Sequence, residues 1–175
     1  MKRNPKQLFG PVSRNPQLLL SFGRGAYRQF VKSKLDYQKE DGSSSSLWLL
    51  SLRITHRCNH RCAICAQLGE KGYNTRTDTP NVKGEVPADV YKRVIDEVAP
   101  KKVHVYITGG EPFLYQPLVP LVNYMKEKGL TVQIVTNGVG LENNAEDIVE
   151  NGWDMICVSF DGPQEIHDKC RGVGG

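Results

Sequence analysis

Residues 47–65, LWLLSLRITHRCNHRCAIC, join an apolar run to three cysteines that fall within eight residues. In the run, Leu50, Leu52 and Ile54 alternate with Ser51, Arg53 and Thr55. Successive side chains of a strand point to opposite faces, so residues 47–55 read as a strand with one apolar and one polar face. A strand buried on both faces would read as nearly continuous Val, Ile and Leu. The cysteines begin directly after this strand, where its carboxyl end opens into a loop.

The same rhythm continues downstream. Pro87 suits the first turn of a helix, and Val90, Tyr91, Val94, Ile95 and Val98 recur at helical spacing behind it. Residues 103–108 read as a second strand, 117–128 as a helix closed by Gly129, and 131–136 as a third strand. A helix over 144–150, closed near Gly152, precedes a fourth strand over 155–160. Its Ile156, Val158 and Phe160 alternate with Cys157, Ser159 and Asp161. Strands that alternate with helices predict an α/β fold with a parallel sheet and right-handed crossovers. With one polar strand face, the fitting form is a partial (βα) barrel of about four units around an open lumen. Ligands in such folds sit at the carboxyl ends of the strands. Residues 66–86 form a longer loop than a βα connection needs, which marks them as a cover for the site.

Upstream, Gly42 and Ser43 to Ser46 have a linker composition and divide a leader, residues 1–46, from a core domain over 47–175. The leader is basic. Residues 1–41 carry nine Lys or Arg and three Asp or Glu, a net +6 within a chain whose total is +4. Leu18, Phe22, Tyr27, Phe30 and Val31 approximate a helical stripe there, interrupted by Gly23 and Gly25. Such charge suits a solvated helix, or a surface that meets anionic lipid or nucleic acid; the first reading leaves nucleic acid out as a partner. No apolar run approaches the ~18 residues of a membrane span, and the short Leu18–Leu20 block lacks a secretory cleavage site. The expected location is cytoplasmic.

Five cysteines grouped three and two argue for reduced thiols that bind metal or react. A structural zinc site takes four ligands; three thiolates plus His56 or His60 would supply them. A four-iron cluster is normally held by four thiolates as well, so three leave one iron open to an exogenous ligand. An electron-transfer cluster would need a further ligand. Cys157 is expected as a small buried residue and Cys170 as a loop thiol.

The spacing Cys58-x3-Cys62-x2-Cys65 after the first strand resembles the signature of the radical S-adenosylmethionine superfamily. The resemblance implies that Cys58, Cys62 and Cys65 hold a [4Fe-4S] cluster. It further implies that S-adenosylmethionine chelates the fourth iron and is cleaved reductively to a 5'-deoxyadenosyl radical that takes hydrogen from substrate. Gly109-Gly110-Glu111-Pro112, ending the second strand, resembles the family's GGEP segment, whose main chain meets the amino group of the cofactor; glycines permit that approach. Thr136-Asn137-Gly138, Ser159-Phe160-Asp161-Gly162-Pro163 and His167-Asp168-Lys169-Cys170-Arg171-Gly172 resemble segments of the subgroup of sulfatase-maturing and peptide-modifying enzymes, the SPASM type. By that resemblance Ser159 and Arg171 contact the ribose or carboxylate of the cofactor, and a guanidinium suits a carboxylate. Thr136, Asn137 and Asp161 serve equally as strand-end turn residues. Ile64 stands where the family commonly has an aromatic residue, so adenine would meet an aliphatic side chain. The family core has six βα units against four here, so the chain is expected to be truncated at its C-terminus. The resemblance also implies a small-molecule or peptide substrate and an electron donor such as ferredoxin or flavodoxin. It names no catalytic side chain.

Overall fold

The computed structural model describes residues 15–69, 72–73 and 84–172. Four strands, β1 (Leu49–Arg53), β2 (His104–Thr108), β3 (Thr131–Thr136) and β4 (Met155–Val158), form one sheet in that order, every pair parallel. Leu49 lies opposite His104, His104 opposite Thr131 and Gln133 opposite Met155. The first and last strands are shorter than their apolar runs. His104 N–H still bonds Trp48 O at 2.8 Å and Ile54 N–H bonds Thr108 O at 3.1 Å, so β1 pairing frays gradually. Among the described residues six α-helices accompany the strands: α1 (Pro16–Tyr27), α2 (Ser33–Tyr37), α3 (Ala88–Val98), α4 (Leu118–Glu127), α5 (Ala145–Glu150) and α6 (Gln164–Arg171). Of these, α1, α3, α4 and α5 had a sequence signal in full or part; α2 and α6 did not, and Cys170, expected as a loop thiol, is helical. Residues 70, 71 and 74–83 of the long connection lie outside the described residues.

The expected two-faced sheet is present in β1, β2 and β3; β4 buries none of its residues, and Val158 and Phe160, expected on the apolar face, are exposed. Leu52, Ile54, Val105, Ile107, Val132 and Ile134 pack against Tyr91, Ile95 and Val98 of α3 and Leu118, Leu121, Val122 and Met125 of α4 in one core cluster. Their alternates Ser51, Arg53, Tyr106, Thr108, Gln133 and Cys157 remain at least partly accessible on the other face. Burial of the first set drives folding, while the second leaves a polar lumen. Cys157 is half-buried, its sulfur accepting from Gln133 Nε2 at 3.3 Å.

The leader is tied to this sheet. Asn15 caps α1 by accepting from Leu18 N–H at 3.2 Å, with Pro16 in the first turn. The helix continues through a π-helical turn at Arg28–Lys32 into α2. Only part of the apolar stripe makes its contacts, together with small residues: Leu18, Ser21 and Gly25 are buried, whereas Phe22, Tyr27, Phe30 and Val31 are exposed to differing degrees. Ser21 and Thr131 hydroxyls lie 2.6 Å apart, the Phe22 ring tilts against His104, and a Cβ on Gly25 would come 3.1 Å from Trp48. Here α1 closes the amino-terminal end of the lumen.

Asp154, at the entry to β4, binds three elements together. It accepts from Lys126 Nζ of α4 at 2.5 Å, from Val132 N–H of β3 at 2.8 Å and, more loosely, from Asn15 Nδ2 at 3.5 Å. Its side chain is 1 % exposed and that of Lys126 is 14 % exposed. Removing one partner of a buried pair strands the other, so Asp154→Ala should cost about 3 kcal/mol of unfolding free energy, read as a lower urea midpoint.

Candidate functional site

Residues 54–69 build the site, and two later segments hold them in place. After β1 the chain runs through Thr55, His56 and Arg57 along the β2–GGEP connection, where Gly110 N–H donates to Thr55 O and Glu111 N–H to Arg57 O, both at 2.8 Å. This approach requires glycine: a Cβ on Gly110 would lie 2.1 Å from Arg57 O, and Gly109 has φ +154° with its Cβ direction 2.5 Å from Thr55 O. Arg57 also pairs with Glu85 through Nε and Nη2, at 2.8 and 3.0 Å, and bonds Leu114 O. That guanidinium holds the Glu85 carboxyl below its ordinary range against the opposing effect of burial.

The cysteine loop follows. Cys65 N–H donates to Cys62 O at 3.0 Å and Gly69 N–H to Cys65 O at 3.0 Å, making two successive tight turns. The second anchor is α6, because Ala63 N–H donates to Cys170 O at 2.9 Å. Gly172, with φ +65°, ends the helix where a Cβ would meet Arg61 O at 2.6 Å. The HDxxRG-like stretch thus supports the cysteine loop with its main chain.

A cavity of about 190 Å3 is lined by Cys58, Cys62 and Cys65 together with His60, Gly109, Gly110, Glu111, Thr136, Asn137 and Arg171, among others. Each sulfur has a positively polarised neighbour. His60 N–H points at Cys58 Sγ (3.4 Å), Leu68 N–H at Cys65 Sγ (3.3 Å) and Arg171 Nη1 at Cys62 Sγ (3.9 Å). Burial pushes the Cys58 thiol up. Arg171 is held in place by Asp161, with Nε and Oδ2 2.6 Å apart, close but not aligned as a hydrogen bond. Burial opposes its charge, but Asp161 and Cys62 raise its pKa above the usual value.

Glu111 is the polar keystone of this arrangement. It is 2 % exposed. Oε1 accepts from Thr136 Oγ1 at 2.7 Å and Phe113 N–H at 3.2 Å, and Oε2 accepts from Asn137 N–H at 2.7 Å. Asn137 Nδ2 then donates to Asn59 Oδ1 at 2.7 Å, linking the end of β3 to the cysteine loop. The Glu111 side chain therefore faces the protein, and what GGEP offers a ligand is main chain. Gly109 O is taken by Gln67 Nε2, Glu111 O by Leu114 N–H and Pro112 O by Tyr115 N–H. Gly110 O has no donor among the described residues.

Of the other expected site residues, Ile64 lines the cavity and is 73 % exposed, in position to cover a flat ligand. Ser159 and Pro112 are not among the lining residues: Ser159 extends β4 by donating to Thr136 O, and Pro112 is buried at the start of a 3-10 turn. His60, one of the two histidines weighed as a fourth zinc ligand, is 8 % exposed and lines the cavity, with Nδ1 buried and unpartnered. Desolvation, and then the charge of Arg171, lower its pKa.

Among known proteins, the chain is 30 % identical to Fe-coproporphyrin III synthase of Methanosarcina barkeri over 162 residues, 91 % of this chain and 37 % of that protein. It is 30 % identical to PqqA peptide cyclase of Bradyrhizobium diazoefficiens over 124 residues, 69 % of this chain and 30 % of the other. The chain spans about a third of the length of the curated relatives it matches. Its fold is similar to that of Streptococcus suis SuiB bound to S-adenosylmethionine, with a TM-score of 0.63 at 20 % identity over 83 % of this chain and 32 % of SuiB. Residues 52–175, which contain the three cysteines, GGEP and Arg171, match the family model of the radical SAM superfamily, and the chain belongs to that superfamily.

Proposed function

We propose that Cys58, Cys62 and Cys65 hold a [4Fe-4S] cluster in this cavity and that the chain forms the cofactor-binding part of a radical S-adenosylmethionine enzyme. The observation that carries this reading is the convergence of three cysteines, the GGEP main chain and Arg171 on one cavity at the carboxyl ends of parallel strands. No group of three or more His, Cys, Asp or Glu side chains among the described residues is close enough to hold a single metal ion. A cluster takes one thiolate on each of three irons, so three cysteines serve it, whereas a structural zinc site needs a fourth ligand. When bound, the cluster and S-adenosylmethionine supply an electron and a 5'-deoxyadenosyl radical that abstracts hydrogen.

The chain's own residues orient and shelter that chemistry. Gly110 O is the acceptor for the cofactor's amino group, Arg171 the partner for its carboxylate and Ile64 the cover for adenine. Glu111, through Thr136 and Asn137, fixes the spacing between GGEP and the cysteine loop. In this reading residues 47–175 are the core and residues 1–46 a basic leader. The substrate, a small molecule or a peptide, enters from the polar lumen beside Arg53, Tyr106 and Gln133, and a ferredoxin or flavodoxin in the cytoplasm reduces the cluster.

Arg171→Ala should retain the iron and sulfide of the reconstituted protein while weakening S-adenosylmethionine binding about tenfold in equilibrium dialysis, the scale of one charge-assisted contact. Unchanged affinity would remove Arg171 from the cofactor site.

A further inference from the structure

The helix that closes the lumen exposes its opposite side. Leu18, Ser21 and Gly25 of α1 face the sheet, whereas Leu20, Tyr27 and Phe30 are 61, 52 and 63 % exposed, and Leu19 and Val31 are exposed too. On α1, Leu19, Leu20 and Tyr27 lie on the side opposite Leu18, Ser21 and Gly25, and Phe30 and Val31 follow in the π-helical turn that continues it. Single exposed apolar residues are normal on a protein surface; five on one continuous helical face are not. The charge around them has one sign. Residues 16–35 contain Arg24, Arg28, Lys32 and Lys34 and no Asp or Glu. The next acid, Asp36, is turned inward, accepting from Lys39 Nζ at 2.8 Å and Ser45 N–H at 2.7 Å.

We propose that this face of α1 docks on an anionic lipid surface, with the helix lying in the interface. Charge complementarity selects this occupant. A second copy seated face to face would bring cation against cation. A nucleic acid would take the cations but gain nothing from Leu19, Leu20 and Val31, which do not stack on bases. A bilayer interface takes both: the acyl boundary accepts Leu20, Tyr27 and Phe30, and the headgroup phosphates pair with Arg24 and Lys34. The helix lies on the membrane rather than across it, since no helix among the described residues is long and apolar enough to span. Because α1 meets the sheet at Thr131 and His104, the amino-terminal ends of β3 and β2, the cysteine cavity at the opposite strand ends faces away from the lipid.

Co-sedimentation of the purified chain with phosphatidylcholine vesicles, with or without about one-third phosphatidylglycerol, tests this proposal. The chain is expected in the pellet with the anionic vesicles only, and in the supernatant again at about 0.5 M salt. The double variants Leu20→Ser with Phe30→Ser, and Arg24→Gln with Lys34→Gln, should each lower partitioning about tenfold or more with an unchanged thermal midpoint. All four side chains are exposed, so folding is spared. Absence of binding to anionic vesicles, or equal binding to neutral ones, overturns the proposal. So does a dimer in light scattering that Leu20→Ser with Phe30→Ser dissociates.

Discussion

Replacement of Cys58, Cys62 or Cys65 by Ala, one at a time, should abolish assembly of an intact four-iron cluster, whereas Cys157→Ala and Cys170→Ala should leave it unchanged. The contrast comes from position. The first three line one cavity, Cys157 faces the lumen beside Gln133, and Cys170 supports the loop through its carbonyl oxygen, which alanine retains. With two thiolates left, a cubane would have two irons without protein ligands and would lose iron or convert to a smaller cluster. The readouts are iron and sulfide per chain after anaerobic reconstitution and the charge-transfer absorption of the cluster. A Cys62→Ala protein that keeps a full, cofactor-responsive cluster would remove that residue from the ligand set.

The largest expected effect on stability belongs to Glu111. Its carboxylate is buried and accepts from the Thr136 hydroxyl and two main-chain N–H groups. Glu111→Ala leaves those donors facing a void, and each unsatisfied group costs about 1–3 kcal/mol, so the total should reach about 4 kcal/mol. Glu111→Gln keeps the shape but turns one acceptor into an NH2 donor against Asn137 N–H or Thr136 Oγ1, for a cost of about 2 kcal/mol. Urea denaturation should order the three proteins as wild type, Gln and Ala. Because Asn137 reaches Asn59 beside Cys58, the Ala variant should also bind S-adenosylmethionine poorly. A variant as stable as wild type would mean that the GGEP carboxylate is not the strut between β3 and the cysteine loop.

What could be read from the sequence divides along a physical line. Strand positions were legible because a half-buried strand writes its burial into a two-residue alternation, and β3 runs over Thr131–Thr136 as its pattern requires. The cysteine triplet was legible because its three members fall within eight residues. Three features were not. Helix α6, QEIHDKCR, has Ile166 as its single aliphatic residue and buries none of its side chains, so it carries no apolar stripe to detect. In helix α1 the buried positions include Ser21 and Gly25, whose smallness allows contact but sends no hydrophobic signal, while of the visible stripe Leu18 is buried, Phe22 leans on His104, and Tyr27, Phe30 and Val31 are exposed. Glu111 reads as part of a turn because its partners Thr136 and Asn137 are 25 and 26 residues further along the chain. His60 belongs with these, since its burial in the cavity wall depends on how the loop folds.

The central claim, that the open corner of a cluster on Cys58, Cys62 and Cys65 receives S-adenosylmethionine, is tested most directly by electron paramagnetic resonance of the reconstituted, reduced chain before and after the cofactor is added. The reconstituted chain should hold about four irons, give a reduced [4Fe-4S] spectrum, and change that spectrum on addition of S-adenosylmethionine. A chain that binds one zinc and forms no cluster, or a cluster whose spectrum is indifferent to the cofactor, would contradict it.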